Sequence, residues 1–189
     1  MFRPLRERKV RWRPLPGEGL EHLTLASVAG ADAIIARSTV IGDRGGIPYG
    51  LTYEIRCDAG WHVRSFRIET TDGRRLSLQA AAPGRWASED GTPLPLFDGC
   101  IDIDLAGTPF TNTLPIRRLD LGPAHGAVTL KMLYVPFDSF EPMVDGQRYT
   151  CLEPGLLYRY EAGDRSFAAD LPLDEDGLVT DYPTLFKRL

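Results

Sequence analysis

The chain has 189 residues, of which 43% are hydrophobic and 25% are charged. This balance is typical of a globular domain that buries its own core, and it argues against an intrinsically disordered chain. The formal net charge of −4 argues against nonspecific nucleic-acid binding, which favours a concentrated basic surface.

Targeting and redox signals point to the cytoplasm. No apolar run approaches the about 18 residues that cross a bilayer, and Met1–Lys9 offers no apolar core for a signal peptide. Cys57, Cys100 and Cys151 are odd in number and far apart, so we expect free, reduced thiols. We therefore predict one domain over residues 1–189, soluble and cytoplasmic.

The predicted elements are short strands. With 19 Gly and 15 Pro spread along the chain, there is little room for long helices. Apolar residues alternate with polar ones in runs separated by Asp-Gly pairs, which is a hairpin signal. Strands are predicted near residues 9–14, 33–41, 49–57, 61–71, 74–81, 100–105, 116–121, 127–135, 147–152, 156–161, 166–173 and 178–182.

Two segments are not assigned to these strands. Residues Leu20–Ala33 fit neither the helical nor the strand period, so both interpretations stay open, and Pro183–Leu189 is predicted as a short helix. Many short sequential strands indicate an antiparallel meander that curls on itself. The predicted fold class is all-β, an antiparallel spiral roll or half-barrel with little helix.

The segment Gly99–Leu119 is unusually polar for a β protein. Asp102 and Asp104 share one face of a strand, a hydroxyl-rich loop follows between Pro109 and Pro115, and Arg117 comes next. We expect Asp102, Asp104 and Arg117 to lie close together on adjacent strands. This clustering predicts a recognition site.

Catalytic and metal chemistry find less support. The two carboxylates stand about 6–7 Å apart at the strand rise, which is close to the separation in glycosidases, but nothing nearby separates their pKa values. His22, His62 and His125 have no metal-ligand spacing, and Asp174–Gly177 is better interpreted as a hairpin turn. We predict no catalytic residue, metal or cofactor.

Aromatic residues with polar tips suit a pocket for a sugar or an amphiphile, since rings cover apolar faces and hydroxyls fix orientation. They equally suit a β core. Trp61, Trp86 and Tyr158 are the aromatic candidates.

Several motifs together resemble the "putative glycolipid-binding" family. They are Leu20–Leu23, Ile47–Tyr53, Asp58–Trp61 with Arg64, the whole Gly99–Leu119 segment and Asp176–Pro183. The resemblance covers nearly the whole chain. It implies an all-β rolled or half-barrel fold, similar in shape to periplasmic carriers of bacterial lipoproteins, and a glycolipid or related amphiphile as ligand.

From these observations we predict a non-enzymatic protein that binds an amphiphile on the concave face of a curved sheet. The predicted ligand-binding residues are Trp61, Arg64, Trp86, Asp102, Asp104, Thr111, Asn112, Thr113, Arg117 and Tyr158. The predicted partner is a glycolipid or other amphiphilic small molecule, with no nucleic acid and no stable membrane insertion. Two alternatives stay open: a hydrolase of sugar conjugates that uses Asp102 and Asp104, and a protein-interaction module.

Overall fold

The computed structural model describes residues 2–28 and 30–189. Strands make up 54% of the chain and helices 9%, and the larger sheet curls into a half-barrel. The all-β prediction is therefore confirmed. Within the described ranges, no helix has the length and apolar character of a membrane span.

Fourteen strands and one α-helix are described, together with three short 3₁₀ turns at Pro95–Phe97, Phe110–Asn112 and Pro123–His125. The elements are β1 (Arg8–Pro14), β2 (Leu20–Ser27), β3 (Ala33–Arg44), β4 (Ile47–Asp58), β5 (Val63–Thr70), β6 (Arg75–Ala82), β7 (Arg85–Ser88), β8 (Asp102–Leu105), α1 (Thr113–Leu119), β9 (Ala127–Val135), β10 (Met143–Glu153), β11 (Leu157–Ala162), β12 (Ala168–Pro172), β13 (Asp181–Tyr182) and β14 (Phe186–Arg188).

Two sheets organise these strands. The nine-stranded sheet has the order β13-β14-β1-β2-β3-β4-β5-β6-β7, and the five-stranded sheet has the order β12-β11-β10-β9-β8. Among the described strand pairs, β8 and β9 are parallel and the others are antiparallel. The antiparallel prediction thus needs one correction, at β8.

The hairpin between β3 and β4 shows how local sequence sets the topology. Arg44 pairs with Ile47, and the two residues between them, Gly45 and Gly46, have φ values of 61° and 83°. Two consecutive positive φ angles give the turn whose twist matches the flanking strands, and glycine adopts them without steric cost. This turn lies at one end of the space between the sheets.

Buried side chains form two clusters. The first joins the inner face of the nine-stranded sheet to β8 and β9 and includes Leu51, Ile55 and Ile103. The second lies around β10, β11 and β12 and includes Tyr158 and Leu171. Helix α1 connects the clusters, because its Leu114 is buried in the first and its Ile116 in the second.

The strand predicted over 116–121 is wrong, since this segment belongs to α1 and its C-terminal end. Parallel neighbours cannot be joined by a tight hairpin, so the chain must cross over between β8 and β9. Residues 106–126 make that crossover. Pro115 is the third residue of the helix, where a missing N–H leaves no helical hydrogen bond unmade.

The C-terminal helix predicted over Pro183–Leu189 is also wrong. Phe186–Arg188 forms β14, which pairs with β1 through Trp12 and Arg188. Pairing with an existing strand gives hydrogen-bond partners to backbone N–H and C=O groups that a short isolated helix would leave without partners. The open segment Leu20–Ala33 contains a strand, β2, and the short strand β7 was not predicted.

A buried ion pair holds β8 against α1. Arg118 donates two hydrogen bonds to Asp102, from Nε to Oδ1 at 3.0 Å and from Nη2 to Oδ2 at 2.6 Å. The side chain of Arg118 is 10% exposed and that of Asp102 is 1% exposed. The expectation that Arg117 joins these aspartates is not met. Its guanidinium instead lies 5.1 Å from the ring centre of Phe2 and 4.7 Å from that of Trp61, because the next helical position points in another direction.

We predict that Arg118→Ala lowers the free energy of unfolding by about 3–5 kcal/mol, since Asp102 would then be buried without a counter-charge. Chemical denaturation at pH 7 measures the loss. Arg159→Ala is the matched control: its pair with Asp170 is exposed, and we expect a loss within about 1 kcal/mol. Equal losses for the two variants would contradict the prediction, as would failure of Asp102→Asn to recover stability in the Arg118→Ala background.

Candidate ligand-binding site

A cavity of about 540 Å³ lies between the two sheets, beside the β3–β4 turn. Its volume falls in the range of about 300–1,000 Å³ that is typical of small-molecule sites. Seven aromatic rings line it, three from the nine-stranded sheet and four from the five-stranded sheet and its loops: Tyr49, Tyr182, Phe186, Tyr134, Phe137, Tyr160 and Phe167. Aromatic rings from both sheets therefore contribute to the cavity wall.

The rings support one another, so the wall has a defined shape. Tyr160 lies 6.1 Å from Phe167 and 6.2 Å from Tyr182, and Tyr182 lies 6.3 Å from Phe186, measured between ring centres. On the opposite side Tyr49 meets Phe137 edge to face at 5.4 Å. Such pairs add stability beyond the area that they bury.

Asp104 is the polar centre of the cavity. Its Oδ1 accepts a hydrogen bond of 2.8 Å from the Thr111 hydroxyl, and its Oδ2 accepts one of 2.7 Å from Nε2 of Gln147. Both of these partners are neutral. A carboxylate only accepts hydrogen bonds, so a ligand group that bonds Asp104 must be a donor.

A second layer of hydrogen bonds orients the first. The buried Tyr149 hydroxyl lies 2.9 Å from Oδ1 of Asn112 and 3.2 Å from Oε1 of Gln147. Asn112 in turn donates to the backbone carbonyl of Pro109 at 3.2 Å. The carboxylate is thus held in place before any ligand arrives.

The charge of the lining is negative. Asp43 and Asp104 line the cavity, and no lysine, arginine or histidine is among the lining residues that the structure describes. Burial raises the pKa values of Tyr160 and Tyr182, and the charge of Asp104 raises both further. The two phenols therefore stay protonated at neutral pH and offer O–H donors.

A buried carboxyl lies beneath the cavity floor. Oε1 of Glu21 accepts hydrogen bonds from the Tyr53 hydroxyl at 2.6 Å and the Ser38 hydroxyl at 2.8 Å, whereas Oε2 is buried without a partner. Burial raises the pKa of Glu21 to about 7, and the nearby hydroxyls of Thr108, Tyr53 and Ser38 oppose this rise only in part. Thr108 also lines the cavity, so Glu21 lies one residue away from it.

Among the sequence-predicted residues, three meet at this cavity. Asp104 and Asn112 line it, and Thr111 bonds Asp104 from the 3₁₀ turn that precedes α1. This 3₁₀ turn leads directly into α1, and Thr111 within it contacts Asp104 on β8. The structure thereby brings the central part of the predicted set together.

The other predicted residues do not line the cavity. Trp86 is buried and donates to the carbonyl of Cys100 at 2.7 Å, and Tyr158 is buried and donates to that of Leu121 at 2.9 Å. Four more have partners elsewhere: Trp61 contacts Arg117, Arg64 bonds Asp58, Asp102 bonds Arg118, and Thr113 bonds the carbonyl of Gly177.

Sequence reasoning missed several residues of the site. Tyr160 is two positions from the predicted Tyr158 and faces the cavity while Tyr158 lies deeper, which residue type alone cannot distinguish. Glu21 had a usable signal, because it shares strand parity with the buried Leu23 and Leu25. A charged side chain on the inward face of a strand indicates a special role.

The described ranges bring no three His, Cys, Asp or Glu side chains together in a group that could hold a metal ion. The three cysteines are free and buried. The polar groups of the described lining include two carboxylates, an amide and hydroxyls, which are groups that hydrogen-bond neutral polyhydroxyl ligands.

The chain is similar to a known protein family and to a solved structure. The family model described as "putative glycolipid-binding" matches residues 9–188. The chain is similar to the crystal structure of a DUF1089 family protein from Pseudomonas aeruginosa, with 38% sequence identity and a TM-score of 0.75, over 100% of this chain and 95% of that one. No curated protein matches.

We predict that Glu21 makes stability fall as pH rises. The unfolded carboxyl releases its proton near the ordinary glutamate pKa of 4.5 and the folded one near a pKa of about 7. Between these values the folded state holds more protons and loses stability with increasing pH. The difference between the two pKa values corresponds to about 3 kcal/mol. This stability is fully present below pH 4.5 and lost above about pH 7.

Urea denaturation of wild type and Glu21→Gln across about pH 4–8 tests this. The stability of the variant relative to wild type should increase by about 3 kcal/mol across this range. Glu18→Gln, an exposed glutamate in the preceding loop, is the control and should show no such trend. A pH-independent difference for Glu21→Gln would contradict the prediction.

Proposed function

We propose, since the chain belongs to the "putative glycolipid-binding" family, that it binds a glycolipid or similar amphiphile with a neutral sugar head in the cavity between its sheets. The observation that supports this most is the pairing of an aromatic wall with Asp104 at its polar centre. A sugar has apolar C–H faces and a rim of hydroxyls, and the cavity offers a surface for each.

Hydrogen-bond direction favours sugar hydroxyls as partners of Asp104. A carboxylate only accepts, so a ligand group that bonds Asp104 must be a donor, and such a bond is charge-assisted. The phenols of Tyr160 and Tyr182 are protonated at neutral pH and supply donors for ligand oxygens. The site can thus accept a hydrogen bond from a ligand hydroxyl and also donate one to it.

Charge argues against an anionic head. Asp43 and Asp104 face the cavity without a basic residue in the described lining. A carboxylate or phosphate head would meet two like charges in a partly desolvated space, which is unfavourable. We therefore infer a preference for neutral glycosides over fatty acids.

The hydrolase alternative is supported less. Asp102 does not line the cavity and is occupied by Arg118, so the two aspartates do not face a shared substrate as an acid and base pair would. The alternative of a protein-interaction module has no specific observation in its favour among the described residues. Three free thiols suit a reducing compartment, and we propose that binding takes place in the cytoplasm.

A thermal-shift panel tests the proposal. Octyl β-D-glucoside, octyl β-D-galactoside and octyl α-D-mannoside, each below its critical micelle concentration, are compared with octanoate. At least one glycoside should raise the melting temperature, because a ligand that prefers the folded state stabilises it, and octanoate should not.

Asp104→Asn should weaken binding of the responding glycoside by about tenfold to hundredfold, the value of a hydrogen bond to a charged group. Isothermal titration calorimetry measures it. Asp170→Asn replaces an exposed carboxylate on β12 and should leave the affinity unchanged. Equal affinity of both variants would place binding elsewhere, and a shift with octanoate alone would refute a sugar site.

A further inference from the structure

A second open space adjoins the cavity on the outside of the β3–β4 hairpin. It measures about 530 Å³, and its apolar wall is formed by Ile41, Pro48 and Tyr49. The Ile41 side chain is 54% exposed. Ile41 therefore offers apolar surface that a ligand in this space can contact.

Three glycines form the other side of this groove: Gly17, Gly19 and Gly42. A Cβ at Gly19 would lie 2.5 Å from the carbonyl oxygen of Ile41, and one at Gly42 would lie 2.8 Å from the hydroxyl of Tyr49. Any other residue at these two positions would shift the neighbouring strand or ring. The close approach of the chain at this side of the groove therefore requires glycine at both positions.

The groove and the cavity share a boundary. Gly17, Asp43 and Tyr49 line both spaces. Among the lining residues that the structure describes, the charged ones are Glu18 and Asp43, and both are acidic. The other end of a molecule whose polar end lies in the cavity would extend past these shared residues into the apolar groove.

We propose that this groove binds the alkyl chain of the amphiphile whose sugar lies in the cavity. The inference rests on the proposed function and adds a second subsite to it. The occupant is a single aliphatic chain, since the wall is apolar and the acidic residues Glu18 and Asp43 disfavour an anionic group. Ile41 and Pro48 cover the chain from one side, and Tyr49 separates it from the sugar.

Chain length is the variable that tests the groove. Affinities of methyl, butyl and hexyl glycosides of the best sugar from the panel are measured by calorimetry, all below the micelle concentration. A fully buried methylene contributes about 0.8 kcal/mol, or about fourfold in affinity. In an open groove we expect about twofold per methylene, so that hexyl binds about 30-fold more tightly than methyl.

Two isoleucines of the same hairpin provide matched variants. Ile41 lines the groove, whereas Ile47 does not, and they are 54% and 60% exposed. Ile41→Ser should weaken hexyl glycoside binding about fourfold and leave methyl glycoside binding unchanged, the loss expected in an open groove when about two methylenes' worth of contact disappears. Ile47→Ser should change neither affinity.

The outcomes separate the two proposals. If methyl and hexyl glycosides bind equally, the groove is overturned while the sugar site stands. If Ile47→Ser loses as much as Ile41→Ser, the chain lies elsewhere on the hairpin and the groove is again overturned. If no glycoside of the panel binds, the proposed function fails and the groove fails with it.

Discussion

The contact between Asp102 and Arg118 is the interaction on which the site depends. A carboxylate that is 1% exposed is stable only with a counter-charge, and Arg118 supplies it from α1. With the helix fixed in this way, the turn before it lies against β8, and Thr111 reaches Asp104. The two aspartates of β8 thus divide the work: one positions the helix, and the other faces the cavity.

The parallel pairing of β8 and β9 gives the second constraint. Strands that run the same way need a connection long enough to return to the starting end, and here residues 106–126 provide it. Because the connection passes between the two buried clusters, its polar side chains are enclosed and must find partners. Asn112 finds Tyr149, and Thr113 finds the carbonyl of Gly177. A polar loop thereby becomes part of the interior.

Sequence patterns predicted the strands where local rules decide, as in the β3–β4 hairpin, where alternation and glycine agree. They failed over 116–121 and at Phe186–Arg188, since a strand in one and a helix in the other were assigned from local pattern, while the fold is decided by distant partners. For the candidate site, three residues of one continuous segment that meet at the cavity, Asp104, Thr111 and Asn112, were predicted. The aromatic wall was not, because its rings come from both sheets and only the assembled fold shows which of them face inward.

Tyr49 lines both the cavity and the groove, and two glycines leave the room that its side chain occupies. A Cβ at Gly107 would lie 2.5 Å from the Phe137 ring and 2.6 Å from the Tyr49 hydroxyl, and Gly42 leaves as little room. Neither glycine has a positive φ angle, so it is space and not backbone conformation that excludes other residues. In a library of single substitutions these two positions would tolerate as little change as residues that contact a ligand, although neither has a side chain with which to bind one.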